Sequence, residues 1–491
     1  MTNHVLLIHG WSADDESMAK IGHFLKDNGF EVSSLHLGGY PSMYDDVRVE
    51  DSAKRMQEVI ASMQTADPAS LASRFHLIVH STGALVARQW LADNYPDGGS
   101  PVDNFLMLAP ANFGSPLATL GRSAITRIAK GWHRGFQSGT EFLHSLELGS
   151  KLQEGLALKD RLSTDGSTSS PFSDDGTRPF VIVGATPIPV TRILGLEAWD
   201  GTVRIASANI NPQGMTVDFT QGRLTKPKIT PWTRRGPVET PFAVLPDRNH
   251  LSILKPAPDE SASDDPQTSK CLGDMIVKAL NVNSPQSYKD LAKEWQGICD
   301  ETRTLAQKGE EADALRTRIL GNAKANKSRF NEYYQIVVEA VDEAGLPIDD
   351  FEVWLTAPTK FETNTLSNDQ DITEVEIDAR ANLLKDEHKN RRNPERRVLH
   401  LDRRALLQQD GFFNSVLKDD HARILVAGIT AVSPGDKIAY FTKDSKQGSG
   451  LIPLRAEDKS DRFLRRYSTH FIRVIIPRVL DDDVFAVRTM N

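Results

Sequence analysis

The chain has 491 residues, 39% of them hydrophobic and 25% charged, which excludes wholesale disorder. Its length corresponds to roughly two to four domains. The formal charge of −8, from 58 Lys and Arg against 66 Asp and Glu, excludes a general nucleic-acid binder unless the charge is strongly segregated. No apolar run reaches the roughly 18–20 residues that a membrane-spanning helix needs.

The N-terminus, MTNHVLLIHG, enters a strand almost at once and lacks a basic n-region and a small-residue cleavage site. The expectation is a cytoplasmic protein as synthesised, or one exported by a signal-independent machine. Residues 4–9 predict a short apolar strand, 17–27 a helix closed by Asn28-Gly29, and 31–37 a second strand. A helix follows over 48–64, with Met56, Ile60 and Met63 on one stripe. Residues 74–80 predict a strand, 83–94 a helix and 103–109 another strand. Apolar strands alternating with amphipathic helices predict a doubly wound, mostly parallel sheet covered on both faces.

The rhythm then breaks. Residues 117–165 read as helical with Gly interruptions, an inserted cap or lid extending to about residue 175. Residues 180–184 resume the sheet, and 241–246 read as its last strand. An exposed loop over 255–270 leads to a helix over 270–281. Residues 287–322 read as a polar helix or helical hairpin whose Leu291, Trp295, Ile298 and Leu305 form one stripe. From Tyr334 the period becomes two, with strands predicted over 334–341, 351–355, 423–430, 437–441 and 470–476. The predicted organisation is an α/β domain over 1–285, a helical connector over 286–325 and a sandwich-like β domain over 326–491.

The strongest chemical signal is Val79-His80-Ser81-Thr82-Gly83, between an apolar strand and a helix. A sharp strand-to-helix turn would lift the Ser81 hydroxyl above the sheet, with a helix N-terminus beneath it. The segment resembles the G-x-S-x-G nucleophile elbow of the α/β-hydrolase superfamily, with Val79 at the first glycine. Valine there implies a slightly opened turn. The strand ending in His9-Gly10-Trp11 is similar to the family's first strand and its oxyanion loop. The resemblance implies oxyanion donors at the Trp11 and Thr82 N–H groups, with His9 as a brace for the turn.

The family's chain order is Ser, then Asp or Glu, then His. Trp199-Asp200-Gly201-Thr202-Val203 resembles its acid segment, and His250-Leu251-Ser252-Ile253-Leu254 its base segment. That resemblance implies a triad of Ser81, Asp200 and His250. His76, His80, His133 and His144 precede Asp200 and are disfavoured; Asp247 is the runner-up acid. Leu108-Ala109-Pro110-Ala111-Asn112-Phe113-Gly114-Ser115-Pro116-Leu117 is similar to a stretch of many lipases. The resemblance spans about residues 4–255.

In the lid, Leu117, Leu120, Ile125, Ile128, Trp132 and Phe136 share a helical face, with Arg122, Arg127, Lys130 and Arg134 between them. Such a helix either lies on an anionic lipid surface or covers the acyl pocket. Cys271 and Cys299 have no CxxC spacing and are expected as ordinary, partly buried thiols. Asp481-Asp482-Asp483 and Asn368-Asp369-Gln370-Asp371 are expected as acidic turns rather than calcium loops, so no metal site and no cofactor is expected. The expected function is hydrolysis of lipid esters, as a lipase or phospholipase. The alternatives are a soluble short-chain carboxylesterase, or a non-catalytic binding protein on a degenerate hydrolase fold. The expected partners are a lipid or small acyl ester and a membrane surface met peripherally through the lid.

Overall fold

The computed structural model describes residues 3–8, 15–35, 46–66, 71–119, 139–188, 191, 194, 196–224, 226–237, 239–256, 272–320, 332–356, 383–402, 426–442, 447–454 and 463–484. The chain divides into two compact units. The first comprises Met1–Pro212 and Thr233–Glu332, the second Gln213–Trp232 and Tyr333–Asn491.

The first unit is built on β1 (His4–Ile8), β2 (Glu31–Leu35), β3 (Phe75–His80), β4 (Val102–Leu108), β6 (Arg178–Gly184) and β10 (Phe242–Leu245). Their order is β10-β6-β4-β3-β1-β2, and every pairing is parallel. Parallel neighbours need crossovers. The chain supplies α1 (Asp15–Asp27), α2 (Val49–Ala66) and α3 (Gly83–Asn94) between the first strands, as the helical periodicity predicts. β1 and β3 are neighbours, but β2 lies beyond one of them and β4, β6 and β10 beyond the other. Their carboxyl ends therefore open the crevice where doubly wound sheets place their ligands.

The strands are apolar because both faces are covered. Val5, Leu7, Ile78, Leu106, Phe180 and Ile182 pack in one cluster with Ile21 and Leu25 of α1. The alternate residues Leu6, Ile8, Leu77, Val79, Phe105 and Met107 are fully buried as well. Past β4 come α4 (Pro116–Thr119), α5 (Thr140–Leu146), α6 (Lys151–Asp160) and the two-residue β5 (Leu162–Ser163), which pairs with β9 (Thr233–Arg234). A short α7 (Ile205–Ala208) follows β6. After β10 come α8 (Leu272–Leu280) and α9 (Pro285–Leu320). Among the described residues, no helix is long and apolar enough to cross a membrane. The exposed loop expected over 255–270 lies almost wholly outside the described residues, as does Cys271. Cys299 is buried in α9, its thiol directed at the Phe242 carbonyl.

Residues 286–320, the described part of the expected connector, do not stand apart as one. α9 is one continuous helix, and its Tyr288, Leu291, Trp295 and Ile298 belong to the hydrophobic cluster of the parallel sheet. Polar composition hides this, because a helix on a sheet needs only one apolar stripe. β7 (Gln213–Arg223) and β8 (Lys226–Pro231) form a hairpin within the segment read as one α/β domain, but they belong to the second unit.

The second unit also contains β11 (Tyr333–Asp342), β12 (Phe351–Thr356), β13 (Leu384–Lys389), β14 (Arg396–Asp402), β15 (Val426–Val432), β16 (Ile438–Tyr440), β17 (Gln447–Pro453), β18 (Ser468–Ile476) and β19 (Arg478–Leu480). One sheet has the order β13-β14-β11-β18-β7-β8 and another β12-β15-β17. β18 runs parallel to both β11 and β7, so the larger sheet is mixed. Met215, Val217, Ile336 and Val338 of the larger sheet share a buried cluster with Val353, Ile429 and Ile452 of the smaller one. That is a sandwich-like core.

His470 lies inside this core, fully buried. The Arg465 N–H donates to its Nε2 at 2.8 Å, and Nδ1 lies 3.1 Å from the Gln335 carbonyl oxygen, to which it donates. Burial lowers its pKa from the usual 6.5 to about 4, against the opposing pull of the Gln335 carbonyl and with help from the Arg465 charge. The folded protein thus holds His470 neutral where the unfolded chain already binds a proton. Stability from this group is complete above about pH 6.5 and is lost as pH falls toward 4. The loss should approach about 3 kcal/mol. Urea unfolding at pH 7 and pH 4.5 checks this, because His470→Gln should remove most of that difference.

Candidate active site

The elbow forms where β3 ends. Ser81 has a φ of +54°, the left-handed region that costs a non-glycine residue strain. The neighbouring strand and helix over-determine it: Ser81 N–H donates to the Leu108 carbonyl at 3.0 Å, and Ala84 N–H donates to the Ser81 carbonyl at 3.2 Å. Val79 is fully buried and keeps register with Ile8 and Met107. Thr82 follows at the head of α3, its carbonyl accepting from Leu85 N–H at 3.0 Å. Trp11, with His9 and Gly10, lies outside the described residues.

Asp200 begins a tight turn, bridged by Trp199 and Arg204 and by Asp200 N–H on the Val203 carbonyl. The turn needs Gly201: its φ is +101°, and a Cβ there would stand 2.5 Å from the Ile188 nitrogen. Inside the turn, Asp200 Oδ1 accepts from the N–H groups of Thr202 (2.8 Å) and Val203 (2.7 Å). Those two donors fix the plane of the carboxylate.

The third group arrives on the loop after β10. A Cβ on Gly184 would stand 2.1 Å from the Arg248 carbonyl oxygen, so only glycine lets this loop reach the end of β6. His250 Nδ1 lies 2.8 Å from Asp200 Oδ2, and its Nε2 lies 3.0 Å from Ser81 Oγ. The structure therefore brings Ser81, His250 and Asp200 into one hydrogen-bonded line. His250 and Asp200 are fully buried and Ser81 is 3% exposed. In so dry a site each charge-dipole contact is stronger than in water.

The rival residues are elsewhere engaged. Asp247 pairs with Arg248 at 3.6 Å. His76 is buried with its ring edge-on to Phe30, and His144 lies 3.9 Å from Glu147. His133 lies outside the described residues, as does the stretch 120–138 that carries Leu120, Ile125, Ile128, Trp132, Phe136, Arg122, Arg127, Lys130 and Arg134. Leu117, the first apolar residue of that face, is buried in α4. Among the described residues no group of His, Cys, Asp or Glu is placed to hold a metal ion. Lys437 lies 3.1 Å from Asp483 and 3.8 Å from Asp481, and residues 368–371 lie outside the described residues.

Sequence reasoning missed the supports. Ser115 Oγ donates to the Thr202 carbonyl at 2.6 Å, so the loop after β4 braces the turn that carries Asp200. Arg88, two turns along α3 from the elbow, forms a bidentate pair with Asp160 at 2.7 and 3.0 Å, both side chains fully buried. The same guanidinium donates to Asn112 on the loop after β4 and lies 5.4 Å from the Phe113 ring centroid. An arginine amid the apolar helix Gly83–Asn94 was the available signal.

No protein-family model matches the sequence, and no curated protein matches it. Among solved structures, phospholipase PlaB from Legionella pneumophila aligns with a TM-score of 0.75 at 22% identity, over 99% of this chain and 96% of that chain. The same phospholipase in complex with thio-NAD aligns with a TM-score of 0.72 at 22% identity, over the same shares of the two chains. Bacillus licheniformis lipase BlEst2 in its mature form aligns at 14% identity over 52% of this chain and 87% of that chain, with a TM-score of 0.32. Parallel sheet, elbow turn and mixed β unit together give this chain an α/β-hydrolase fold joined to a second β domain, an architecture it shares with PlaB along nearly its whole length.

Proposed function

We propose that the protein is a serine hydrolase of lipid carboxylic esters. The observation that carries this reading is the line Ser81 Oγ–His250–Asp200, with spacings of 3.0 and 2.8 Å, set on a left-handed serine. Ser81 Oγ attacks the acyl carbonyl while His250 Nε2 takes its proton. Asp200 holds the Nδ1–H tautomer and stabilises the imidazolium. The Thr82 and Trp11 N–H groups receive the oxyanion. Collapse expels the alcohol, which takes the proton back from His250, and leaves an acyl-enzyme on Ser81. Water, deprotonated by the same histidine, releases the acid.

A lipid rather than a small soluble ester is favoured by the fold shared with a protein named a phospholipase along nearly the whole chain. Two measurements test the reading. A fluorophosphonate should label Ser81, and hydrolysis should be faster on phospholipid vesicles or triglyceride than on short p-nitrophenyl esters. No label on Ser81 sinks the mechanism; a preference for the soluble esters sinks the lipid assignment and leaves a carboxylesterase. Peripheral contact through residues 117–136 belongs to the same proposal. Each basic residue near an anionic surface contributes about 1 kcal/mol, screened within a Debye length. Replacing Arg122, Arg127, Lys130 and Arg134 by Gln should slow hydrolysis of anionic vesicles, most at low salt, and leave a soluble ester unaffected. Equal losses on both substrates would mean that these residues support folding instead.

A further inference from the structure

His80 precedes the nucleophile, is fully buried, and takes no part in the steps above. Its Nε2 lies 2.9 Å from the backbone carbonyl oxygen of His250. A carbonyl only accepts, so Nε2 of His80 carries the hydrogen and donates. The two imidazole rings face each other at 4.7 Å between centroids, tilted by 48°. On the other side of the same residue, His250 N–H donates to the Asp200 carbonyl at 3.0 Å. The main chain of the base is thus held twice, by the residue that bears the acid and by the one beside the nucleophile.

We infer that His80 is a positioning residue for His250. The need is geometric. Ser81 sits at the end of the internal strand β3, whereas His250 sits on a loop after the edge strand β10. A loop by itself holds a side chain less rigidly than a strand does. His80 ties that loop to β3, so His250 Nε2 is registered on Ser81 Oγ through the strand that ends in His80 and leads directly into Ser81. A misplacement of about 1 Å in such a pair costs on the order of 100-fold in rate. The inference rests on the proposed Ser81–His250–Asp200 chemistry and extends it to a residue that touches no substrate.

The test compares His80→Phe, which keeps a ring but no donor, with His80→Gln, whose amide N–H reaches toward the same carbonyl. His80→Leu is a second donor-free variant, so a folding failure of one leaves the comparison standing. Near-UV circular dichroism and melting establish which variants are folded. On a soluble ester, the donor-free variants should lose about 100-fold in kcat with KM unchanged. Their fluorophosphonate labelling should slow in parallel, and His80→Gln should recover most of the loss. A folded donor-free variant with wild-type kcat overturns the inference, as does a His80→Gln protein no better than His80→Phe. If the wild-type protein labels at Ser81 and a donor-free variant labels equally fast, this inference alone falls. If active wild-type protein does not label at Ser81, the triad reading falls and takes the inference with it.

Discussion

Ser81→Ala protein should fold normally and lose ester hydrolysis by on the order of 10⁴–10⁶-fold in kcat. Alanine and serine bear similar strain at a φ of +54°, so the elbow keeps its conformation. What disappears is the oxygen 3.0 Å from His250 Nε2. His250→Ala removes the proton acceptor and should be as severe. Asp200→Asn should cost about 10⁴-fold, because an amide can present its N–H to Nδ1 and favour the wrong tautomer. Asp247→Asn should stay near wild type, since that carboxylate faces Arg248. Steady-state kinetics on one soluble ester decides all four. An inactive Asp247→Asn beside a normal Asp200→Asn would mean that Asp247 is the acid.

The largest loss of stability is expected at the Arg88–Asp160 pair. Both side chains are fully buried and meet through two hydrogen bonds, 2.7 and 3.0 Å long. Replacing one partner strands the other charge in a dry interior, at a cost of about 3–5 kcal/mol. Arg88→Met and Asp160→Leu should each lower the melting temperature by about 10 °C. The double variant should be more stable than either single one, because the stranded charge is gone. Thermal unfolding of the three proteins checks the pattern. A double variant as unstable as the worse single would show that packing against Phe113 and Asn112, not charge, dominates the site.

How much of this was legible in the sequence follows from which interactions are local. β1, β3, β4, β6 and β10 are buried strands of a parallel sheet, and continuous apolar runs announce them. The elbow serine, Asp200 and His250 each sit in a short motif, and chain order relates the motifs. The failures have two causes, a strand without an apolar pattern and pairing across long separations. β13 reads LKDEHK and carries no apolar signal, because alternate residues of this end strand face solvent. β7 and β8 are bounded on both sides by elements of the α/β unit, so sequence proximity misassigned them. Only their pairing with β18 shows where they belong. His80 precedes Asp200, so chain order disfavours it as the base; its bond to a carbonyl 170 residues away has no sequence signature.

The placement of the hairpin Gln213–Pro231 also imposes an order on folding during synthesis. β7 finds its parallel partner when His470 and its neighbours have been made, roughly 250 residues after Gln213. At ~5–20 residues per second, that wait is on the order of ten seconds to a minute. β10, α8 and α9 emerge within that interval, so the parallel sheet can close while Met215, Val217 and Phe219 still lack the core that buries them. The nascent protein therefore passes through a stage in which a finished parallel sheet carries a strand edge ready to pair with a neighbouring chain. It is at this stage, before β18 leaves the ribosome, that chaperones would do most to protect the yield of folded protein.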